Sequence, residues 1–175
     1  SVSLERLDAV ELAAAAGAVV IAGATGRDEM PNTVEERMTN LDELTSILKG
    51  KGFTDADIHY DPLVFPISVD GKNGTNVIET VKAIRERFGA DVHFAPGLSN
   101  VSFGMPKRKL INTVFTHMCW QAGLDGAIVD PRHVSQESLQ TMDTTTEAYK
   151  IAQALLLGED DFGMNYITAS REGLI

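Results

Sequence analysis

The chain has 175 residues, 43% of them hydrophobic, and sets 25 acidic side chains against 15 basic ones for a formal charge of −10. That length suits one domain with a sizeable core, while a pI near 4.7 and no basic run longer than Lys107-Arg108-Lys109 argue against nucleic acid as a partner. A single cysteine, Cys119, excludes an internal disulfide and fits a reducing compartment; the apolar runs are too short for a bilayer and no targeting segment is visible, so a cytoplasmic protein without a membrane partner is expected.

In chain order, Leu4, Leu7, Val10 and Leu12 recur at helical spacing with Glu5, Asp8 and Glu11 on the polar side, and Gly17 stops that helix. "AVVIAGA" (18–24) is a β-branched run without alternation, as in a strand buried on both faces. A polar loop leads to a second helix, "TVEERMTNLDELTSILKGKG" (33–52). "DIHYDPLVF" (57–65) begins as a strand and is halted by Pro62, and Val77, Val81, Ile84 and Phe88 share one face of a helix over 74–89. "DVHFAPGLSN" (91–100) reads as the third strand with its loop, 109–124 as a helix rich in large apolar residues, and "GAIVDP" (126–131) as a fourth strand. The stretch 135–158 reads as helical, weakened at Thr144–Thr146.

This strand–helix alternation implies an α/β fold of four parallel strands joined by right-handed crossovers. Polar residues gather after each strand, at Thr25–Asn32, Asp61-Pro62, Gly97–Asn100 and Asp130-Pro131. The carboxyl ends of parallel strands are where such folds bind ligands. Four strands are half of a (β/α)8 barrel, and the opening "SVS" runs into a helix as though a strand preceded it. The expectation is the C-terminal half of a TIM barrel, with a four-stranded doubly wound sheet as the competing architecture.

Together, "HYDPLVFP", "GLSNVSFGMPKRKLINTVFTHMCWQAGLDGAIVDP" and the opening "SVS" resemble the pterin-binding barrel of methyltetrahydrofolate:corrinoid methyltransferases. That superfamily includes the folate module of cobalamin-dependent methionine synthase and, more distantly, dihydropteroate synthase. The resemblance covers residues 1–158 and leaves 159–175 as an unassigned tail. It implies methyl transfer between N5 of methyltetrahydrofolate, or a related pterin, and the cobalt of a corrinoid (cobalamin). That corrinoid would be carried by a separate partner protein, since nothing in the sequence resembles a corrinoid-binding module.

The resemblance also assigns residues. Asp61 corresponds to the pterin-binding aspartate of the "DP" motif; a carboxylate accepts the adjacent amino and ring N–H groups of a pterin side by side. The alternative for Asp61 is an Asx-type turn ahead of Pro62. Asn100 corresponds to the catalytic amide near N5, where hydrogen bonding makes the nitrogen a better leaving group. Its alternative is a left-handed turn residue. Gly97 and Ser99 are expected to let the backbone approach the pterin, or else to form a tight turn. Asp130, at the end of the last strand, faces the pocket or caps a turn.

Exposed solvated charge is the plain reading of Lys107 and Arg108, and packing or hydrogen bonding that of His59 and His93. His117 and Cys119, two apart on a helix, make a poor metal pair, so no metal site is expected. The family's pterin site also uses residues from earlier barrel strands that have no counterpart here. A half-barrel would expose strand edges and interior surface, which predicts a homodimer or aggregation and inactivity of these residues on their own. The alternatives are a dihydropteroate synthase-like enzyme, of which Arg132-His133 is a partial echo, and a non-catalytic half-barrel that binds or assembles.

Overall fold

The computed structural model describes residues 1–175 and divides the chain into two compact units. The first comprises Ser1–Leu63, Glu79–Pro96 and Gly123–Ala127; the second comprises Val64–Ile78, Gly97–Ala122 and Ile128–Ile175. No helix is long and apolar enough to cross a membrane.

In the first unit a short 3-10 turn (Leu4–Arg6) leads into α1 (Asp8–Ala16), which ends where Gly17 turns to φ +60. Helix α2 (Val34–Gly50) starts on a reciprocal capping box. Thr33 Oγ1 accepts the Glu36 N–H at 3.1 Å, while Glu36 Oε2 accepts the N–H groups of Thr33 and Asn32 at 3.0 and 2.6 Å. Such a cap contributes about 1 kcal/mol. These backbone bonds hold the Glu36 carboxyl below the usual range.

Three strands form a parallel sheet in the order β1 (Val20–Gly23), β2 (Ile58–Asp61), β3 (His93–Phe94). Val2 extends it by one parallel bridge to Ala22. Its register pairs Ala22 with Tyr60, Gly23 with Asp61, and His59 with His93. Alternation then separates two faces. Val20, Ala22, Ile58, Tyr60 and Phe94 are buried. Tyr60 is covered from both sides: its hydroxyl is 2.8 Å from Thr45 Oγ1 of α2, and its ring stacks at 4.9 Å on Phe88, the last residue of α3 (Asn73–Phe88). Burial pushes the Tyr60 hydroxyl up to about 12. Ile21, His59, Asp61 and His93 occupy the opposite face and are only half-buried.

The second unit is helical. A 3-10 turn (Leu98–Ser102) precedes α4 (Arg108–Gln121), followed by α5 (Gln136–Gln140), α6 (Glu147–Leu156) and α7 (Met164–Arg171). The first six residues of α3 also belong here, Asn73–Ile78; Gly74 lies against the Leu156 carbonyl and Thr75 Oγ1 donates to the Leu157 carbonyl at 3.1 Å.

Two expectations need correction. The sheet has three strands rather than four, because residues 126–131 form a single parallel bridge, Ile128 with Gly97. Just beyond it, Asp130 folds the chain into a turn: its carbonyl accepts the His133 N–H at 2.9 Å and its carboxylate the Arg132 N–H at 3.0 Å. Ile128 is left 62% exposed. The helix expected over 135–158 is two helices. Asp143 Oδ1 accepts both the N–H and the hydroxyl of Thr145, and Thr146 Oγ1 caps α6 by accepting the Tyr149 N–H at 3.2 Å. These local bonds outcompete a helix at the threonines. The unassigned residues 159–175 hold α7, capped by buried Asp160, whose carboxylate accepts the N–H groups of Asn165 and Tyr166 at 2.9 Å each.

Candidate functional site

Asp61 ends β2 on the face opposite Tyr60, paired in register with Gly23 of β1. Its Oδ1 accepts the Leu63 N–H at 2.9 Å, and its carbonyl accepts the Ala24 N–H at 3.0 Å. The Asx-type turn is therefore present, and it occupies one carboxylate oxygen. A carboxylate has about four acceptor positions, so the turn leaves Oδ2 for another donor. Burial pushes the Asp61 carboxyl above the usual range, with the Leu63 N–H opposing the shift.

The turn is held from α2. Arg37, fully buried, donates Nε–H to the Pro62 carbonyl at 2.8 Å, and Nη1 to the carbonyls of Asn32 and Thr33 at 3.3 and 3.2 Å. Sequence reasoning missed this residue, although a signal was there. Arg37 precedes Leu41, Leu44 and Leu48 at intervals of four, three and four, on the buried face of α2.

In the second unit, Gly97 opens the 3-10 turn at φ −82 and carries Asn100 three residues on. Asn100 is exposed. Its N–H donates to the Gly97 carbonyl at 3.4 Å and its carbonyl accepts the Phe103 N–H at 3.1 Å. Positive φ outside glycine is confined to Leu63, Lys107 and Phe162, which removes the left-handed alternative for Asn100. Gly97 is not in the left-handed region either, and a Cβ there would only reach ordinary contact with Asn100 Nδ2, at 3.9 Å. The Ser99 carbonyl accepts Arg108 Nη2 at 2.9 Å and the Ser102 hydroxyl at 3.2 Å, while Arg108 Nε donates to Ser102 Oγ at 3.0 Å. Arg108 is thus more than the solvated charge expected of it: it fastens the backbone on which Asn100 sits.

Asp130 serves its turn and binds Arg132 through Nε and Nη2 at 3.0 and 2.7 Å. Those bonds hold its carboxyl well below the usual carboxylate range and occupy Arg132, half of the dihydropteroate synthase echo. His59 and His93 stack at 5.0 Å; His93 Nδ1 lies 2.7 Å from Asp125 Oδ2, while His59 is packed with its buried Nδ1 unpartnered.

Comparison with known proteins adds to this geometry. A family model described as "Pterin binding enzyme" matches residues 1–130. The chain is 33% identical over 146 residues to the methylcorrinoid:tetrahydrofolate methyltransferase of Eubacterium limosum, covering 83% of this chain and 50% of that protein. It is 36% identical over 124 residues to the methionine synthase of Mycobacterium tuberculosis, covering 67% of this chain and 10% of that protein. The chain thus spans half the length of the first relative and a tenth of the second.

Proposed function

The chain belongs to the pterin-binding enzyme family, and on that footing we propose that it forms part of a methyltransferase acting between N5 of methyltetrahydrofolate, or a related pterin, and the cobalt of a corrinoid carried by a partner protein. The names of the two relatives support this reading, one a methylcorrinoid:tetrahydrofolate methyltransferase and the other a methionine synthase. The observation that carries it is the Asp61 carboxylate. It ends a parallel strand, one oxygen fixed by its own turn and the other accepting from no protein donor.

In this reading Asp61 grips the pterin by accepting its amino and ring N–H groups, a charge-assisted pair. The Asn100 carboxamide, which makes no side-chain hydrogen bond within the protein, serves N5. When the methyl group leaves, the electron pair of the C–N bond stays on N5, and a donor there stabilises the developing charge without itself ionising. Gly97 and Ser99, small residues beside that amide, let the backbone approach the pterin. The corrinoid supplies a cobalt nucleophile, so this chain needs no nucleophilic side chain; its residues bind, orient and activate the methyl donor. The half-covered face of Ile21, His59 and His93 is the side that a closed (β/α)8 barrel turns inward, which supports reading the sheet as part of such a barrel.

The test is turnover of protein expressed from its native gene with methyltetrahydrofolate and cob(I)alamin, followed as methylcobalamin by absorbance. Methylcobalamin formation that Asn100→Ala slows is the expected result. No methylcobalamin from the unaltered protein refutes the activity.

A further inference from the structure

We propose that Arg37 is a positioning residue, whose buried guanidinium holds the Asp61-Pro62-Leu63 turn in the shape that aims the Asp61 carboxylate at the pterin; the inference rests on the ligand role proposed for Asp61. Leu63 sits at φ +62, a left-handed conformation that a leucine keeps only where its surroundings impose it. Three hydrogen bonds impose it here. The Ala24 N–H fixes the carbonyl of Asp61, the Leu63 N–H fixes its side chain, and Arg37 Nε fixes the carbonyl of Pro62 between them.

The choice of residue type carries the argument further. Pro62 is buried and has no N–H, so its carbonyl is the group through which this peptide is held, and a buried carbonyl requires a donor. A fully buried guanidinium is a costly donor, and an apolar side chain of similar volume is often no less stable at such positions. Three of its bonds, to Pro62, Asn32 and Thr33, go to main-chain carbonyls. They tie the loop before α2 to the turn after β2 through one planar fork, which a lysine does not reproduce. The arrangement suits fixing the direction of a neighbouring side chain.

The experiment is a double-mutant cycle of Arg37→Met with Asp61→Ala, reading the Kd for 5-methyltetrahydrofolate by titration on protein from the native gene, with folding checked by circular dichroism. Arg37→Met is expected to raise the Kd about tenfold in the wild-type background and less than twofold when Asp61 is already alanine. Arg37→Lys, which keeps the charge but not the fork, should lie between Arg37→Met and wild type. An unchanged Kd in folded Arg37→Met, or equal losses in both backgrounds, overturns the inference while leaving the Asp61 reading standing. An unchanged Kd in Asp61→Ala alone overturns the Asp61 reading instead. If neither Arg37 variant folds, Arg37 is a stability residue and the positioning role is withdrawn.

Discussion

The Leu63 N–H donates to Asp61 Oδ1 at 2.9 Å while Leu63 itself holds φ +62, so the carboxylate is anchored by the residue whose backbone is under strain. The turn fills one acceptor position on Oδ1 and fixes the carboxylate's direction, leaving Oδ2 and a second position on Oδ1 for two ligand donors. Asp61→Ala is expected to weaken 5-methyltetrahydrofolate binding by roughly 1–3 kcal/mol, the penalty for leaving two buried donors without an acceptor. The acid form of Asp61 cannot accept both donors, and burial raises its pKa. Binding should therefore fade on acidification before an ordinary carboxylate would titrate near 4. Titration calorimetry across pH checks both; a Kd for Asp61→Ala within twofold of wild type rules out the bidentate grip.

Asn100 should behave differently, because its amide is assigned to the transition state. In Asn100→Ala the pterin Kd is expected to change little while kcat falls about a hundredfold, the scale seen on removing one donor from a site of developing charge. The side chain is exposed and makes no hydrogen bond within the protein, so the melting temperature should hold. A single-turnover assay for methylcobalamin measures the rate. An Asn100→Ala enzyme that keeps wild-type kcat assigns the activation of N5 to another group.

What was legible in the sequence was whatever local chemistry decides. The helix from Val34 could be read because Thr33 and Glu36 form its cap, and the one ending at Ala16 because Gly17 can turn left-handed there. The candidates Asp61 and Asn100 come from the family resemblance of "HYDPLVFP" and "GLSN", with the polar residues that follow each strand pointing to the same region. Strand pairing is a tertiary matter. "GAIVDP" has strand chemistry, yet Asp130 draws it into a turn and one bridge is all that forms. The roles of Arg37 and Arg108 were hidden for a related reason: nothing in "EERM" or "PKRK" says which main-chain carbonyl an arginine will find.

Stability should fall on mild acidification through the contact of α4 with α6. His117 is 4% exposed, its Nδ1 lies 3.0 Å from the Tyr149 hydroxyl, and the rings meet edge-on at 5.6 Å. Burial holds the folded-state pKa of His117 below 6.5. In the unfolded chain the imidazole takes up its proton near 6.5, so between there and the lower folded value the unfolded state binds more protons. The contribution is intact above that window and shrinks as pH drops through it. Denaturant midpoints at pH 7.5 and 5.0 should differ, and His117→Gln should narrow the difference. An equal pH response in the variant assigns the acid sensitivity to other groups.

Gly74 tests the packing of the second unit by the sign of its effect. Alanine in a helix is ordinarily favoured over glycine by about 0.5–1 kcal/mol, so Gly50→Ala at the end of α2, with nothing within 4 Å of the added Cβ, should be neutral or stabilising. At Gly74 the same methyl group would fall against the backbone carbonyl of Leu156, too close for the main chain to yield without moving α3 relative to α6. Overpacking of that kind costs about 1–3 kcal/mol, more than the helix preference returns. Thermal melts should therefore move Gly74→Ala down and Gly50→Ala level or up. If both variants rise together, the close approach of α3 to the end of α6 is absent in solution.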